Sequence, residues 1–270
     1  IFTPLMVILM GFGPMARWKH QAPGDLLRTY RIALIASVGA GILFALPVLH
    51  DGSPWAGFAV LLSVWLVSSL VLSLRQRFRN RASLQTLLKN PAARGNGSYF
   101  GMLIAHLGIA VFIIGVTFVT LFEEEQDIRM SPGQSVEMSG YTFRFDGVRN
   151  VKGPNYRADQ GTITVMQDGK TITQLKPEKR TYLVQSKPMT EAGIDAGLMR
   201  DIYVSLGEGL GNGDWSLRLY YKPFVRWIWL GGLMIALGGI FAALDRRYRI
   251  GIRVRARTTA GNTLTREAKH

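Results

Sequence analysis

Runs of apolar residues near twenty long alternate with short strongly basic stretches along most of this chain, and that alternation is interrupted once. IFTPLMVILMGFG opens the sequence; RIALIASVGAGILFALPVL (31–49), WAGFAVLLSVWLVSSLVLSL (55–74), the segment around 99–121 and FVRWIWLGGLMIALGGIFAAL (224–244) follow. A helix rises 1.5 Å per residue, so about 20 residues cross a hydrocarbon core of roughly 30 Å. The last four runs meet that length. The first, at about 13 residues, falls short of it and reads as the end of a helix. It lacks the basic start of a signal peptide, and on this reading the sequence is a fragment of a longer chain.

Between the third and fourth of these spans the pattern changes from long apolar runs to short alternating ones. VEMSGYTFRFDGV (136–148) and GTITVMQDGKTITQL (161–175) predict hairpins, the second turning at Asp168-Gly169, a pair suited to positive φ. DIYVSLGEGLGNGDWSLRLYY (201–221) predicts a third, joined through a glycine-rich loop at GEGLGNG. The fold class is therefore a membrane α-helical bundle of about four full transmembrane helices and an N-terminal partial one. A small all-β outer domain, sandwich or barrel, is inserted before the last helix. The domains run 1–121 (helices and inner loops), 122–222 (β-rich), 223–245 (last span) and 246–270 (a basic, poorly ordered tail).

Charge settles an orientation. Net charge is +14, which in a soluble protein would suggest nucleic acid, but 18 of the 32 Lys and Arg lie in three short segments, 14–31, 75–98 and 245–270. Those segments carry +15, while the remainder has 14 basic and 15 acidic residues. Basic residues concentrate on the cytoplasmic side of membrane proteins. This places 14–30, 75–98 and the tail inside, and the turn His50-Asp51-Gly52-Ser53-Pro54 and residues 122–222 outside. No nucleic-acid partner is implied. The absence of cysteine excludes disulfides and thiolate metal sites.

One residue offers chemistry. In GMLIAHLGIAVFIIGVTFVTL (101–121), His106 is an imidazole in an otherwise apolar span, about 10 Å from Tyr99 and about 22 Å from Leu121. Gly101, Gly108 and Gly115 recur every seven residues on a stripe that permits close helix packing, about 140° away from His106. Its own face carries Met102, Leu103, Ile109, Ala110 and Ile113. That wall suits an axial ligand of haem iron. It also suits a packing histidine bonded to a neighbouring helix, in a membrane scaffold or transporter subunit. His20, His50 and His270 are poorly placed to be a second ligand, so a bis-histidine site would need one from outside this chain. Lys222 and Arg226, among Tyr220, Tyr221, Trp227 and Trp229, read as an interfacial anchor, Glu123-Glu124-Glu125 as a solvated helix end, and GEGLGNG as no nucleotide cradle.

The run PMTEAGIDAGLMRDIYVSLGEGLGNGDWSLRLYYKPFVRWIWLGGLMIALGG (188–239) resembles the end of the CcmF family of cytochrome c maturation proteins. GMLIAHLGIAVF resembles the helix carrying one of that family's two intramembrane histidines, and GFGPMARWK fits as well. The resemblance covers essentially the whole chain, as the C-terminal part. It implies a haem lyase component with a haem b between two transmembrane histidines, His106 by position being the second. It also implies an outer tryptophan-rich WWD domain flanked by two histidines that hold incoming haem. The implied partners are the rest of the CcmF chain, CcmH, CcmI, the haem chaperone of the pathway, apocytochrome c and quinol as electron source. The chain departs from that pattern. Its tryptophans (18, 55, 65, 215, 227 and 229) form no WWD segment, and it has no outer histidine pair. This portion alone is thus expected to catalyse no thioether formation, and only His106 carries over.

Overall fold

The structure is a computed structural model describing residues 2–15, 23–48, 54–79, 96–184 and 187–245. The predicted turn at 50–54 except Pro54, most of the inner loops, the basic tail, and His20, His50 and His270 lie outside the described residues. Five helices are described: α1 (Phe2–Phe12), α2 (Pro23–Val48), α3 (Pro54–Arg79), α4 (Asn96–Phe122) and α5 (Val225–Ala243). Four of them, α2 to α5, are long and apolar enough to cross a membrane. Large apolar side chains face outward on them, among them Ile35 and Leu43 of α2 and Leu233 and Ile240 of α5. An apolar surface of that extent is costly in water and ordinary in lipid.

Small residues set the close approaches. A Cβ on Gly57 of α3 would lie 2.5 Å from Ala45 Cβ, and one on Gly41 of α2 2.8 Å from Leu61 Cβ. The short α1 is fixed by aromatic side chains. The Trp65 indole N–H donates to Ile8 O at 3.1 Å, and the Tyr30 hydroxyl donates to Phe12 O at 3.3 Å. The rings of Phe12, Tyr30 and Trp65 lie 4.8–5.2 Å apart. These bonds use up polar atoms that hydrocarbon would leave unsatisfied. Ser37 and Ser63 do the same by bonding the carbonyls of Ala33 and Ala59 one turn back.

The chain divides into two compact units, Phe118–Arg226 and the remainder. The first is a sandwich rather than a closed barrel. Ten strands run β1 (Glu124–Met130), β2 (Ser135–Met138), β3 (Tyr141–Lys152), β4 (Tyr156–Gln167), β5 (Lys170–Leu175), β6 (Glu178–Tyr182), β7 (Pro188–Glu191), β8 (Gly193–Ala196), β9 (Arg200–Gly211) and β10 (Asp214–Pro223). One sheet has the order β1-β10-β9-β8 and the other β2-β3-β4-β6-β7, with β5 also on β4. Alternate residues fill the core: Phe143 and Phe145 opposite Val165 and Ile163, and Val204 and Leu206 opposite Leu219 and Leu217. This is the period-two burial that a pleated strand imposes.

All three predicted hairpins form, turning at Ser139-Gly140, Asp168-Gly169 and Asn212-Gly213 with positive φ at both residues of each pair. Two expectations need correction. GEGLGNG is not a loop: β9 continues through Gly211, and only Asn212-Gly213 turns. The glycines serve the strand pair, because a Cβ on Gly207 would approach Ser216 O to 3.0 Å and one on Gly209 would meet the Trp215 ring at 3.5 Å. Register shifts beside Trp215 absorb the irregularity. Glu123-Glu124-Glu125 is exposed, as expected, but only Glu123 belongs to the helix end. β1 starts at Glu124, and the three carboxylates reach Lys222 (3.3 Å), Ser139 Oγ (2.7 Å) and Arg218 (3.4 Å).

Candidate functional site

α4 is held on two faces, and His106 lies on one of them. On the face opposite the imidazole, its glycine stripe meets α5. A Cβ on Gly101 would fall 2.5 Å from Gly238 O, one on Gly108 2.8 Å from Gly231 O, and one on Gly115 2.8 Å from Ile228 N. The heptad of α4 therefore has a counterpart heptad, Gly231 and Gly238, on α5. Backbones approach this closely only where neither helix carries a side chain.

On the histidine's own side, Ala110 is fully buried against Val7, Leu62 and Leu66, with Ile109 and Ile113 packed alongside. Toward the start of the helix, the Tyr99 hydroxyl and Ser73 Oγ are 2.9 Å apart, and the Arg77 guanidinium stacks over the Tyr99 ring at 4.1 Å. Those contacts set the register of α4 on α3. The wall read from sequence as a cofactor face is thus partly an interhelical seam. His106 is half-buried at its middle.

The start of α4 is capped from a distance. Ser98 N donates to Asp245 Oδ2 at 2.8 Å, and Asp245 itself is buried. A carboxylate there satisfies an orphan amide and complements the positive end of the helix dipole. Sequence reasoning missed this residue. Its one signal is that Asp245 is the only acid directly at the end of the last span, amid basic residues.

The bonding of the ring is asymmetric. His106 Nδ1 lies 2.8 Å from Met102 O, one turn back on the same helix. A carbonyl can only accept, so Nδ1 carries the proton and the neutral ring presents Nε2 as a bare lone pair. Among the described residues Nε2 has no hydrogen-bond partner, on α4 or on any neighbouring helix. A histidine whose second nitrogen is held by a backbone carbonyl has the arrangement that fixes tautomer and ring orientation in metal-ligating imidazoles. The donor set therefore fits one axial position on haem iron. It does not fit an autonomous metal site: among the described residues no group of three or more His, Asp or Glu side chains could hold an ion. His106 is also the one histidine among them.

The other residues singled out from sequence lie elsewhere. Lys222 pairs with Glu123 and stacks over Tyr220 at 5.1 Å, within the sandwich. Arg226 donates to Ala196 O at 3.4 Å.

These features define a multi-pass membrane protein whose helical bundle carries an all-β domain inserted before its last span. Residues 121–223 match the family model described as the CcmF C-terminal beta-sandwich. The chain is 47% identical over 97% of its length to the cytochrome c-type biogenesis protein CcmF of Pseudomonas aeruginosa, covering 39% of that protein. It is 42% identical over 92% of its length to CcmF of Escherichia coli, covering 37%. The fold matches a solved structure titled Cytochrome c Heme Lyase CcmF with a TM-score of 0.71 and 21% identity, over 89% of this chain and 38% of the other. The chain belongs to the CcmF family, and it spans about two-fifths of the length of these relatives.

Proposed function

We propose that this chain is part of a haem lyase component of cytochrome c maturation, in which Nε2 of His106 supplies one axial ligand of a membrane-embedded haem b. The observation that carries the reading is the free Nε2 on a ring whose other nitrogen is anchored within its own helix. A packing histidine would spend its second nitrogen on a neighbouring helix, and among the described residues His106 does not.

A haem held by His106 would supply one-electron storage and transfer, the chemistry needed to keep the iron of an incoming haem substrate reduced. The chain's own residues do four things. Met102 O holds the Nδ1 proton and so keeps Nε2 basic and directed. Ala110, Ile109 and Ile113 on the same face exclude water. The glycine seam with α5 and the Tyr99–Ser73 contact with α3 fix the rotation of α4, and hence where the imidazole points. A second residue to hold the haem would come from outside this chain, in keeping with relatives more than twice its length.

Residues 122–222 face the periplasm on this reading, supported by the basic segments at 14–31, 75–98 and 245–270. The sandwich then stands on the side where CcmH, CcmI and apocytochrome c would meet it, and a quinol in the membrane would be the reductant.

The test assembles this chain with the portion of the Pseudomonas aeruginosa relative that it does not span, and purifies the complex from membranes. A pyridine haemochrome assay and the absorption spectrum are expected to give haem b in a low-spin, six-coordinate state. His106→Ala is expected to abolish the low-spin bands while circular dichroism stays unchanged. An unaltered low-spin spectrum in that variant removes the ligand assignment.

A further inference from the structure

Two turns of the sandwich expose apolar side chains, Leu183-Val184 after β6 and Leu198-Met199 after β8. Three of its other turns, Ser139-Gly140, Asp168-Gly169 and Asn212-Gly213, are polar pairs suited to water and to positive φ. Between β8 and β9 the chain turns instead through Gly197-Leu198-Met199, with the Leu198 side chain 61% and the Met199 side chain 53% exposed. The exposure does not come from slack. Gly197 N donates to Arg200 O at 2.9 Å and to Asp201 Oδ1 at 3.0 Å, and Arg200 crosses the hairpin to Asp195. The apolar pair is presented on a braced tip.

The Leu198-Met199 turn is distinguished by its place in the unit. Phe224 N donates to Met199 O at 2.9 Å, and Arg226 Nη2 lies 3.4 Å from Ala196 O. Phe224 immediately precedes Val225, where the membrane-spanning stretch Val225–Ala243 begins. A residue hydrogen-bonded to the first residue before a span stands at the membrane surface. Arg226 is exposed and ion-paired with no carboxylate among the described residues. A cation there suits the phosphates of lipid headgroups.

We propose that the Gly197–Met199 turn is a lipid-interface wedge: Leu198 and Met199 insert into the headgroup and acyl boundary of the bilayer that α5 crosses, with Arg226 on lipid phosphate. The insertion seats the sandwich on the membrane at a third point, besides the two places where the chain enters and leaves it. Insertion of this kind reaches about 5–10 Å below the headgroups. The inference rests on α5 being a membrane span and is independent of any role of His106.

The same domain supplies a control. Tyr141 rings against Tyr221 and its hydroxyl accepts from Arg200, so that end of β3 lies beside the wedge. β3 and β4 run from there to the far end, roughly 35 Å away for strands of this length. Tyr156 pairs with Tyr182 at that far end, and Val184, 92% exposed, follows it.

The chain has no cysteine, so Leu198→Cys, Met199→Cys and Val184→Cys each accept a single environment-sensitive fluorophore. Each labelled chain is placed in nanodiscs of phosphatidylethanolamine and phosphatidylglycerol. The probes at 198 and 199 are expected to be blue-shifted, several-fold less quenched by aqueous iodide than the probe at 184, and strongly quenched by a shallow lipid-borne nitroxide. Iodide quenching at 198 and 199 equal to that at 184 overturns the proposal. So does shielding from iodide without quenching by the lipid nitroxide, which would mean that protein and not lipid covers the turn.

Discussion

Two glycine pairs on α5, Gly231-Gly232 and Gly238-Gly239, allow the α4–α5 seam to be tested by substitutions one residue apart. A Cβ on Gly231 would lie 2.6 Å from Phe112 N and 2.7 Å from Gly108 O, and a Cβ on Gly238 2.5 Å from both Ala105 N and Gly101 O. Gly232 and Gly239 have nothing within 4 Å of that position. Comfortable carbon contacts begin near 3.5 Å, so alanine at 231 or 238 must part the helices by roughly 1 Å. The atoms in the way are backbone, and no side chain can swing aside. Overpacking of this kind costs about 1–3 kcal/mol per site. At 232 and 239 the same substitution meets no obstacle and favours the helix by about 1 kcal/mol or less. Unfolding midpoints in detergent or nanodiscs should therefore fall for Gly231→Ala and Gly238→Ala, and hold or rise for Gly232→Ala and Gly239→Ala. The seam also sets the rotation of α4, so the two damaging substitutions should broaden or shift any haem spectrum that depends on His106. Equal midpoints for Gly238→Ala and Gly239→Ala would refute the close-packed seam.

Two further outcomes follow from the packing described above. Trp65→Phe keeps the ring stack on Phe12 and Tyr30 but loses the bond to Ile8 O, a loss of about 1 kcal/mol. Limited proteolysis should show α1 released sooner, and unchanged protection would show that the bond contributes nothing. In the sandwich, the Arg180 guanidinium bonded to Glu178, with further help from Gln160, holds the Glu178 carboxyl below its ordinary value of 4.5. A lowered folded pKa stabilises above the unfolded value and is lost as pH falls through the folded one. Tryptophan fluorescence or hydrogen exchange should then show the sandwich weakening as pH drops below about 4.5, with a shallower decline in Glu178→Gln. Identical pH profiles for the two proteins would count against the network.

The residues that sequence reasoning misplaced share a cause. GEGLGNG looks like a loop because glycine is a poor strand former, yet here Gly207 and Gly209 make room for Ser216 and the Trp215 ring on the paired strand. The three glutamates are exposed, but charge after an apolar run marks a helix end and gives no sign of the strand that begins at Glu124. Their partners, Lys222, Ser139 and Arg218, come from segments distant in sequence. Asp245 was passed over for the same reason, as the amide it caps belongs to Ser98.

From sequence alone came the number and extent of the spans, the inserted β domain, three of its hairpins, the charge asymmetry and the one imidazole in an apolar span. Each of these depends on lengths and periods that a stretch of ten to twenty residues contains within itself. Tertiary structure alone decided that the heptad glycines of α4 face a second glycine heptad on α5. It also decided that the strands form two sheets and not a closed barrel, and that an apolar turn hangs beside the start of the last span. Above all, it decided which nitrogen of His106 has no partner among the described residues. The competing readings of that histidine differ in what stands next to it, and neighbours across helices are chosen by packing between segments that no local pattern connects.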